Sequence, residues 1–318
     1  MDKKEIVVIA LGGNAIKQEK EKGSFEEQFG HVNETAQEII KIYQKGYKIV
    51  ITHGNGPQAG NLLIQQEEGT KEVPAQPLDC VGAMTQGQIG WMMQIALQNN
   101  FKLQKIDVPV ATILTQVLVK KDDPDFKDPS KPVGPFYSKD IAEKYIKEKG
   151  YICKNVKPTT EKGWRRVVPS PEPMEIIESV VVKKLIDEGV IVITSGGGGI
   201  PVSRSNEGQL KGEEAVIDKD KAGNILAQSV KADIFLILTD VEFAYTDFGK
   251  PTQKACMKMT VDEAEKLYNA NQFSKGSMGP KVQAAARFVR AGGKRAVITS
   301  LAKALDALEG KTGTVIVP

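Results

Sequence analysis

Three apolar runs, each ending in glycine, constrain this chain more than anything else in it. Residues 5–11 (EIVVIAL) lead into Gly12-Gly13-Asn14, and residues 47–52 (YKIVIT) into His53-Gly54-Asn55-Gly56-Pro57. Residues 190–194 (VIVIT) lead into Ser195-Gly196-Gly197-Gly198-Gly199. Short runs rich in Val and Ile, without polar alternation, are strands buried on both faces, which requires a parallel sheet under helices. Glycine just past such strands lets backbone N–H groups close on an anion, at the edge where open α/β sheets hold ligands. Taken singly, each glycine run is an ordinary tight turn. The three together predict one crevice for phosphate or carboxylate.

Strand and helix patterns alternate through most of the 318 residues, enough chain for a sizeable core in two lobes. Residues 25–45 carry Val32, Ala36, Ile39, Ile40 and Tyr43 at helical spacing and stop at Gly46. Helices are also expected over 58–67, 80–99, 174–188, 220–230, 261–269, 280–291 and 302–308. Further strands are expected over 108–114, 232–239, 295–299 and 314–317. Residues 120–166 break this rhythm. Their KKDDPDFKDPSKPVGPFY stretch has four prolines, which excludes a central strand or helix, and the segment is too long for a simple connection. A helix is expected over 139–149 within it. Phe136, Tyr137, Tyr145, Tyr151 and Trp164 give the segment apolar material of its own, which favours a lid over a solvated linker.

Composition narrows the function by exclusion. Forty-three Lys plus Arg stand against 40 Asp plus Glu, interspersed, for a net charge of +3. A nucleic-acid binder would concentrate basic charge instead. Cys80, Cys153 and Cys256 are scattered without a CxxC, so reduced thiols are expected rather than disulfides or a zinc site. The apolar run near the N-terminus is too short for a signal peptide, and no long apolar stretch suggests a membrane span. A soluble, cytoplasmic protein is expected, with no membrane partner.

Gly54-Asn55-Gly56-Pro57-Gln58-Ala59 formally matches the dinucleotide fingerprint G-x-G-x-x-A. That fingerprint needs a following strand ending in an acidic residue, and KEVPAQPLD at 71–79 is broken by proline. No Walker A sequence occurs. Pro57 instead fits the first turn of a helix, aiming its positive end and the Gly54–Gly56 amides at a ligand. Lys219 sits between Asp218 and Asp220 before a helix pattern, and either aspartate could be a plain N-cap. Carboxylates on both sides would orient the lysine and keep it charged. Lys281 ends a second glycine turn that opens a helix, and Lys131 lies in the proline-rich segment. His31 and His53 are the only histidines, with no triad or metal cluster around them. Trp91, Met92 and Met93 are expected to pack in the core.

Six motifs, taken in order, carry a resemblance. They are Ala10-Leu11-Gly12-Gly13-Asn14-Ala15, HGNGPQ at 53–58, KPVGPF at 131–136, SGGGGIP at 195–201, EAVIDKD at 214–220 and GSMGPK at 276–281. Together the chain resembles the carbamate kinases of the amino acid kinase fold over essentially its whole length. The wider fold usually has a lysine where Leu11 stands, a departure the carbamate kinases share, and Lys131 looks like its replacement. The resemblance implies an α/β fold, a three-layer α/β/α sandwich with an open, mainly parallel central sheet plus a small protruding subdomain at 120–166. Residues 1–230 would bind carbamate or carbamoyl phosphate, and residues 231–318 the nucleotide. It implies a homodimer that reversibly transfers phosphate between ATP and carbamate, giving ADP and carbamoyl phosphate. Mg2+ would be held mostly by nucleotide phosphates and water, with no metal site on the protein.

By the same resemblance, Lys131, Lys219, Asp220 and Lys281 are the catalytic candidates. Gly12, Gly13, Asn14, Gly54, Asn55, Gly56, Gly196, Gly197 and Gly198 would present donors to the acceptor and the phosphoryl group. Asp240, Tyr245, Gly276, Ser277, Met278 and Lys281 would hold the nucleotide. Another kinase of this fold, acting on acetylglutamate or UMP, would prefer lysine at position 11 and lack the 120–166 overhang. A dinucleotide-dependent oxidoreductase is disfavoured by the broken 71–79 stretch. A non-catalytic nucleotide sensor would be expected to have lost one of the three lysines.

Overall fold

The computed structural model describes residues 4–17, 21–274 and 276–318; the side chain of Asn14, a site candidate, lies outside the described residues. The first buried run forms β1 (Ile6–Leu11), followed by α1 (Phe25–Gln44). Ser24 opens α1 with a capping box, its hydroxyl accepting from the Glu27 amide while the Glu27 carboxylate accepts from the Ser24 amide. The second run gives β2 (Lys48–His53), then α2 (Gly56–Gly69), with Pro57 in its first turn, and α3 (Leu78–Leu103). β3 (Val110–Thr112) and β4 (Gln116–Val119) precede the proline-rich segment. That segment supplies β5 (Lys131–Tyr137), α4 (Lys139–Lys149), β6 (Cys153–Asn155) and β7 (Trp164–Val168). β8 (Pro173–Ile176), α5 (Ser179–Asp187), β9 (Ile191–Ile193), β10 (Ile200–Arg204) and β11 (Leu210–Gly212) lead to α6 (Lys219–Ser229). Next come β12 (Ile234–Thr239), β13 (Ala244–Thr246), β14 (Lys254–Cys256), β15 (Lys258–Thr260) and α7 (Val261–Asn269). α8 (Met278–Arg290), β16 (Arg295–Ser300), α9 (Ala304–Leu308) and β17 (Thr314–Val317) close the chain.

Eight strands make one sheet in the order β15-β17-β16-β12-β1-β2-β9-β3, parallel throughout except for the β16–β17 pair. Its strands bury both faces, as their unbroken apolar runs require. In β1, Ile6, Val8 and Ala10 join a core cluster with Val182 and Ile186 of α5, Leu226 of α6 and Phe288 of α8. Val7, Ile9 and Leu11 join the opposite cluster with Val32 and Ile39 of α1, Ile89 and Met93 of α3 and Leu308 of α9. The result is the three-layer α/β/α sandwich. Each fully buried Ile or Val of these strands contributes on the order of 1.5–3 kcal/mol by leaving water.

A second sheet, β11-β10-β4-β8, begins where the chain leaves the edge of the first, between β3 and β4 and again between β9 and β10. The corner is tight. Gly198 has φ +92, and a Cβ there would stand 2.5 Å from the Ile217 carbonyl oxygen, so no other residue fits. The segment at 120–166 folds as its own three-stranded sheet, β5-β7-β6, with α4 against it. Tyr137, Ala142 and Cys153 are its interior, with Tyr145, Tyr151 and Trp164 packed around them.

Several elements differ from their expected form. Residues 174–176 lie in β8 and not in a helix, because Ile176 pairs with Val117 of β4, and α5 starts only at Ser179. The KPVGPFY stretch is a strand despite its prolines. It is an edge strand, bulged between Val133 and Tyr137, which is where proline is tolerated. Met92 and Met93 are fully buried, but Trp91 is 52% exposed and stacks on Phe25 at 6.0 Å between ring centroids.

Candidate active site

The turns after β1, β2, β9 and β12 lie at the carboxyl ends of parallel strands, the edge where open α/β sheets bind ligands. α6 starts at this edge. Asp218 is its N-cap, Oδ1 accepting from the amides of Asp220 at 3.0 Å and Lys221 at 3.3 Å. That leaves Asp220 free to turn inward, where it is 3% exposed. Its carboxylate accepts from Lys219 Nζ at 2.6 Å and from Lys281 Nζ, off α8, at 3.3 Å. Lys131, at the start of β5, brings Nζ to 3.5 Å from Asp218 Oδ2. Three ammonium groups from three elements thus meet two carboxylates, one positive charge in excess.

Burial opposes the charge on Asp220, but Lys219 and Lys281 outweigh it and hold the carboxyl below its ordinary range. Lys281 moves the same way for a different reason. Its burial, reinforced by the nearby Lys219, lowers its pKa against the pull of Asp220. Lys219 reaches Asp220 across a bare backbone, since a Cβ on Gly54 would lie 3.3 Å from Lys219 Cδ.

A crevice of about 230 Å³ surrounds this centre, lined by Gly13, Gly54, Asn55, Gly56, Gly197 and Gly276 together with the three lysines and two aspartates. Ser277 leads from it into a narrower cavity of about 110 Å³ walled by Asp240, Tyr245, Met278, Phe248 and Ser274. On the opposite side the crevice opens into a cavity of about 490 Å³ beneath β5. The expected lysines, Asp220 and the nucleotide candidates therefore lie along one channel. Gly12, Gly196 and Gly198 do not line it. Gly12 lies against the Leu238 carbonyl, Gly196 against the His53 ring and Gly198 against Ile217. Phe248, Ser274 and the seating of Lys131 on Asp218 had no signal in the sequence.

Residues 71–77 form turns and coil ahead of α3, so the dinucleotide unit is absent there. His31 bonds Glu21 at 2.7 Å on the flank of α1 and does not line the crevice. His53 is 2% exposed, and Nδ1–H donates to the Gly54 carbonyl at 2.7 Å. Burial pulls its pKa down from 6.5 to about 4, against the pull of that bond. It is a neutral spacer between two glycine turns. Between pH 6.5 and 4 the unfolded chain therefore binds a proton that the folded chain refuses. Stability should fall as pH drops through that window, by about 3 kcal/mol in total. Denaturant titrations of the parent and His53→Asn check this. The variant should lose less stability than the parent on acidification, and parallel losses would assign the titration elsewhere.

Among the described residues, no three His, Cys, Asp or Glu side chains converge as a metal cage. The crevice aspartates already bind lysines, Asp220 through both oxygens. Among the described residues the crevice holds no cation cage, and its lysine-rich rim suits anionic groups.

A positively charged crevice with no acid–base pair is suited to moving a phosphoryl group between two anions. The chain belongs to the amino acid kinase family, whose model matches residues 5–300, and is an ATP-dependent kinase. Its similarity runs further, to the carbamate kinases of that family. It is 56% identical over 314 residues to the carbamate kinase of Thermococcus kodakarensis, covering 98% of each chain. It is 52% identical to that of Pyrococcus furiosus, covering 98% of this chain and 99% of the other. The solved carbamate kinase from Giardia lamblia bound to AMP-PNP superposes with a TM-score of 0.94 at 44% identity, covering 100% of this chain and 99% of that one. No helix among the described residues is long and apolar enough to cross a membrane.

Proposed function

We propose that this chain transfers a phosphoryl group reversibly between ATP and carbamate across the Lys219–Asp220–Lys281 centre. The observation that carries this is a buried carboxylate holding two ammonium groups at 2.6 and 3.3 Å over a glycine-lined crevice. In the forward direction a carbamate carboxylate oxygen attacks the γ-phosphorus, the bond to the β-phosphate oxygen breaks, and its electrons leave with ADP. No proton moves, so no general base is needed. The loose transition state spreads charge over the equatorial oxygens, and fixed cations stabilise that charge. Lys219 and Lys281 neutralise it, with Asp220 holding them in place. Gly13, Gly54, Gly56 and Gly197 present amides, and Asn55 faces the acceptor.

In this reading Asp240, Tyr245, Phe248 and Met278, which line one narrow cavity, serve as the nucleoside wall, with residues 231–318 as the nucleotide lobe and residues 1–230 as the acceptor lobe. Mg2+ arrives on the nucleotide phosphates, where it keeps most of its water, and screens their charge. A cytoplasmic homodimer belongs to the same proposal. The three free thiols and the exposed Phe25, Met84 and Trp91 face support it, and sedimentation measures the assembly.

Incubation with carbamoyl phosphate and ADP, with ATP read through hexokinase, should give rapid ATP formation. Turnover with acetylglutamyl phosphate or UDP, and none with carbamoyl phosphate, would overturn the assignment. Lys131 is parked on Asp218 and lines both the crevice and the cavity beyond it. Lys131→Ala should therefore raise KM for carbamoyl phosphate about tenfold to a hundredfold, while KM for ADP stays near its parental value. Equal effects on both would place Lys131 on the transferring group instead.

A further inference from the structure

Building on the carbamate assignment, we propose that the chain also phosphorylates N-alkyl carbamates, R–NH–COO−, whose alkyl group occupies the large cavity beneath the protruding subdomain. That cavity measures about 490 Å³ and shares Asn55, Gly56, Lys131, Gly197 and Val216 with the charged crevice. Carbamate has four non-hydrogen atoms and needs only the room of about two waters, roughly 60 Å³. It leaves most of the cavity unused.

The roof is packed onto the body. Val133 and Val168 of the subdomain lie in one cluster with Leu63, Leu78 and Val81. Arg166 bonds Glu214 at 3.1 Å, and the Tyr137 hydroxyl bonds Glu67 at 3.3 Å. The walls are largely apolar, with Ile64, Leu78, Val133, Pro135, Ala215 and Val216 among them. Arg165, the only lining cation besides Lys131 among the described residues, donates two bonds to the Gly134 carbonyl at 3.1 and 2.7 Å and lies against the Phe136 ring. The cavity thus suits a neutral apolar group and not a second anion. The reacting carboxylate oxygen must face the phosphoryl group over Lys219 and Lys281, so the carbamate nitrogen faces away, toward the shared rim. A substituent on that nitrogen enters the cavity.

The chemistry is that of the parent reaction. A carboxylate oxygen of R–NH–COO− bonds the γ-phosphorus and the β-oxygen bond breaks, giving R–NH–CO–OPO3(2−) and ADP with overall charge conserved. The product then expels phosphate. Its N–H proton leaves with that phosphate as HPO4(2−), and an isocyanate remains. The substrates form unaided when primary amines meet bicarbonate.

The test follows ADP with ATP, bicarbonate and one of ammonium, methylamine, ethylamine, propylamine or trimethylamine, with each carbamate quantified by carbon NMR. The three primary amines should give ADP above the trimethylamine baseline, because a tertiary amine forms no carbamate. KM per carbamate should fall about twofold to fourfold with each added methylene. Ile64→Trp, which narrows the cavity, should lower the alkyl activity, most of all with propylamine, and leave the ammonium reaction within about twofold of the parent. Baseline rates with all three primary amines beside an active ammonium reaction would overturn the proposal, as would an equal loss of both activities in Ile64→Trp. Inactivity with ammonium itself would overturn the carbamate assignment, and this proposal with it.

Discussion

Lys281→Ala is expected to lower kcat for ATP formation from carbamoyl phosphate and ADP by about two to three orders of magnitude, with circular dichroism unchanged. The ammonium group reaches the crevice from the start of α8, anchored on Asp220 at 3.3 Å and the Ser277 carbonyl at 3.2 Å. Fixed cations in a site shielded from water act on transition-state charge without reorganising, which is why deleting one is costly. A pH profile separates this role from a packing role. Burial and the neighbouring Lys219 lower the pKa of Lys281, and only its charged form can neutralise a phosphoryl group. Activity should therefore decline along an alkaline limb lying below the ordinary lysine value of 10.5. In Lys281→Arg, whose guanidinium stays charged, that limb should vanish even if the rate falls. Near-parental turnover in Lys281→Ala, or an unchanged limb in Lys281→Arg, would remove Lys281 from the chemistry.

The central sheet was legible because its strands had nothing to hide. Val7 and Val8 point to opposite faces and both are buried, so an unbroken apolar run is the only pattern compatible with helices on both sides. β8 was not legible. PMEI followed closely by SVVVKKLID reads as continuous helical periodicity, and only pairing with β4, more than fifty residues earlier in the chain, makes the first part a strand. Strands of three to five residues in the second sheet carry too short a pattern for the same reason. In the protruding segment, the aromatic residues signalled an interior of its own, while the prolines concealed an edge strand.

The charged centre was half legible. Asp218, Lys219 and Asp220 are adjacent in sequence, but which aspartate caps and which turns inward depends on the helix start. The Lys131–Asp218 contact joins residues 87 apart, beyond any local signal. The glycines divide the same way. Gly197 lines the crevice and Gly198, its neighbour, serves the corner against Ile217. Sequence marks both as turn residues and cannot say which backbone stands behind each.

Asp220→Asn tests the centre from the side of its anion. Asparagine keeps the shape of the side chain and removes its charge, leaving Lys219 and Lys281 facing each other across a buried carboxamide. Breaking one member of a buried ion network leaves uncompensated charge and costs about 3–5 kcal/mol, so denaturant midpoints should fall sharply at neutral pH. The pH dependence has a definite sign. The folded carboxyl titrates below its ordinary 3.8, so its contribution is complete above that value and is lost as pH falls through the lower, folded pKa. The gap between parent and variant should therefore be wide near neutrality and close only in strong acid. Lys281 should also lose its proton more easily in the variant, since Asp220 is the partner that opposes its burial. Anions offer a further check. Phosphate or ADP can replace the missing charge between the two ammonium groups, so each should bind Asp220→Asn more tightly and stabilise it more than the parent at equal ligand concentration. A variant within about 1 kcal/mol of the parent, and no more responsive to phosphate, would mean that the two lysines hold their positions without the aspartate.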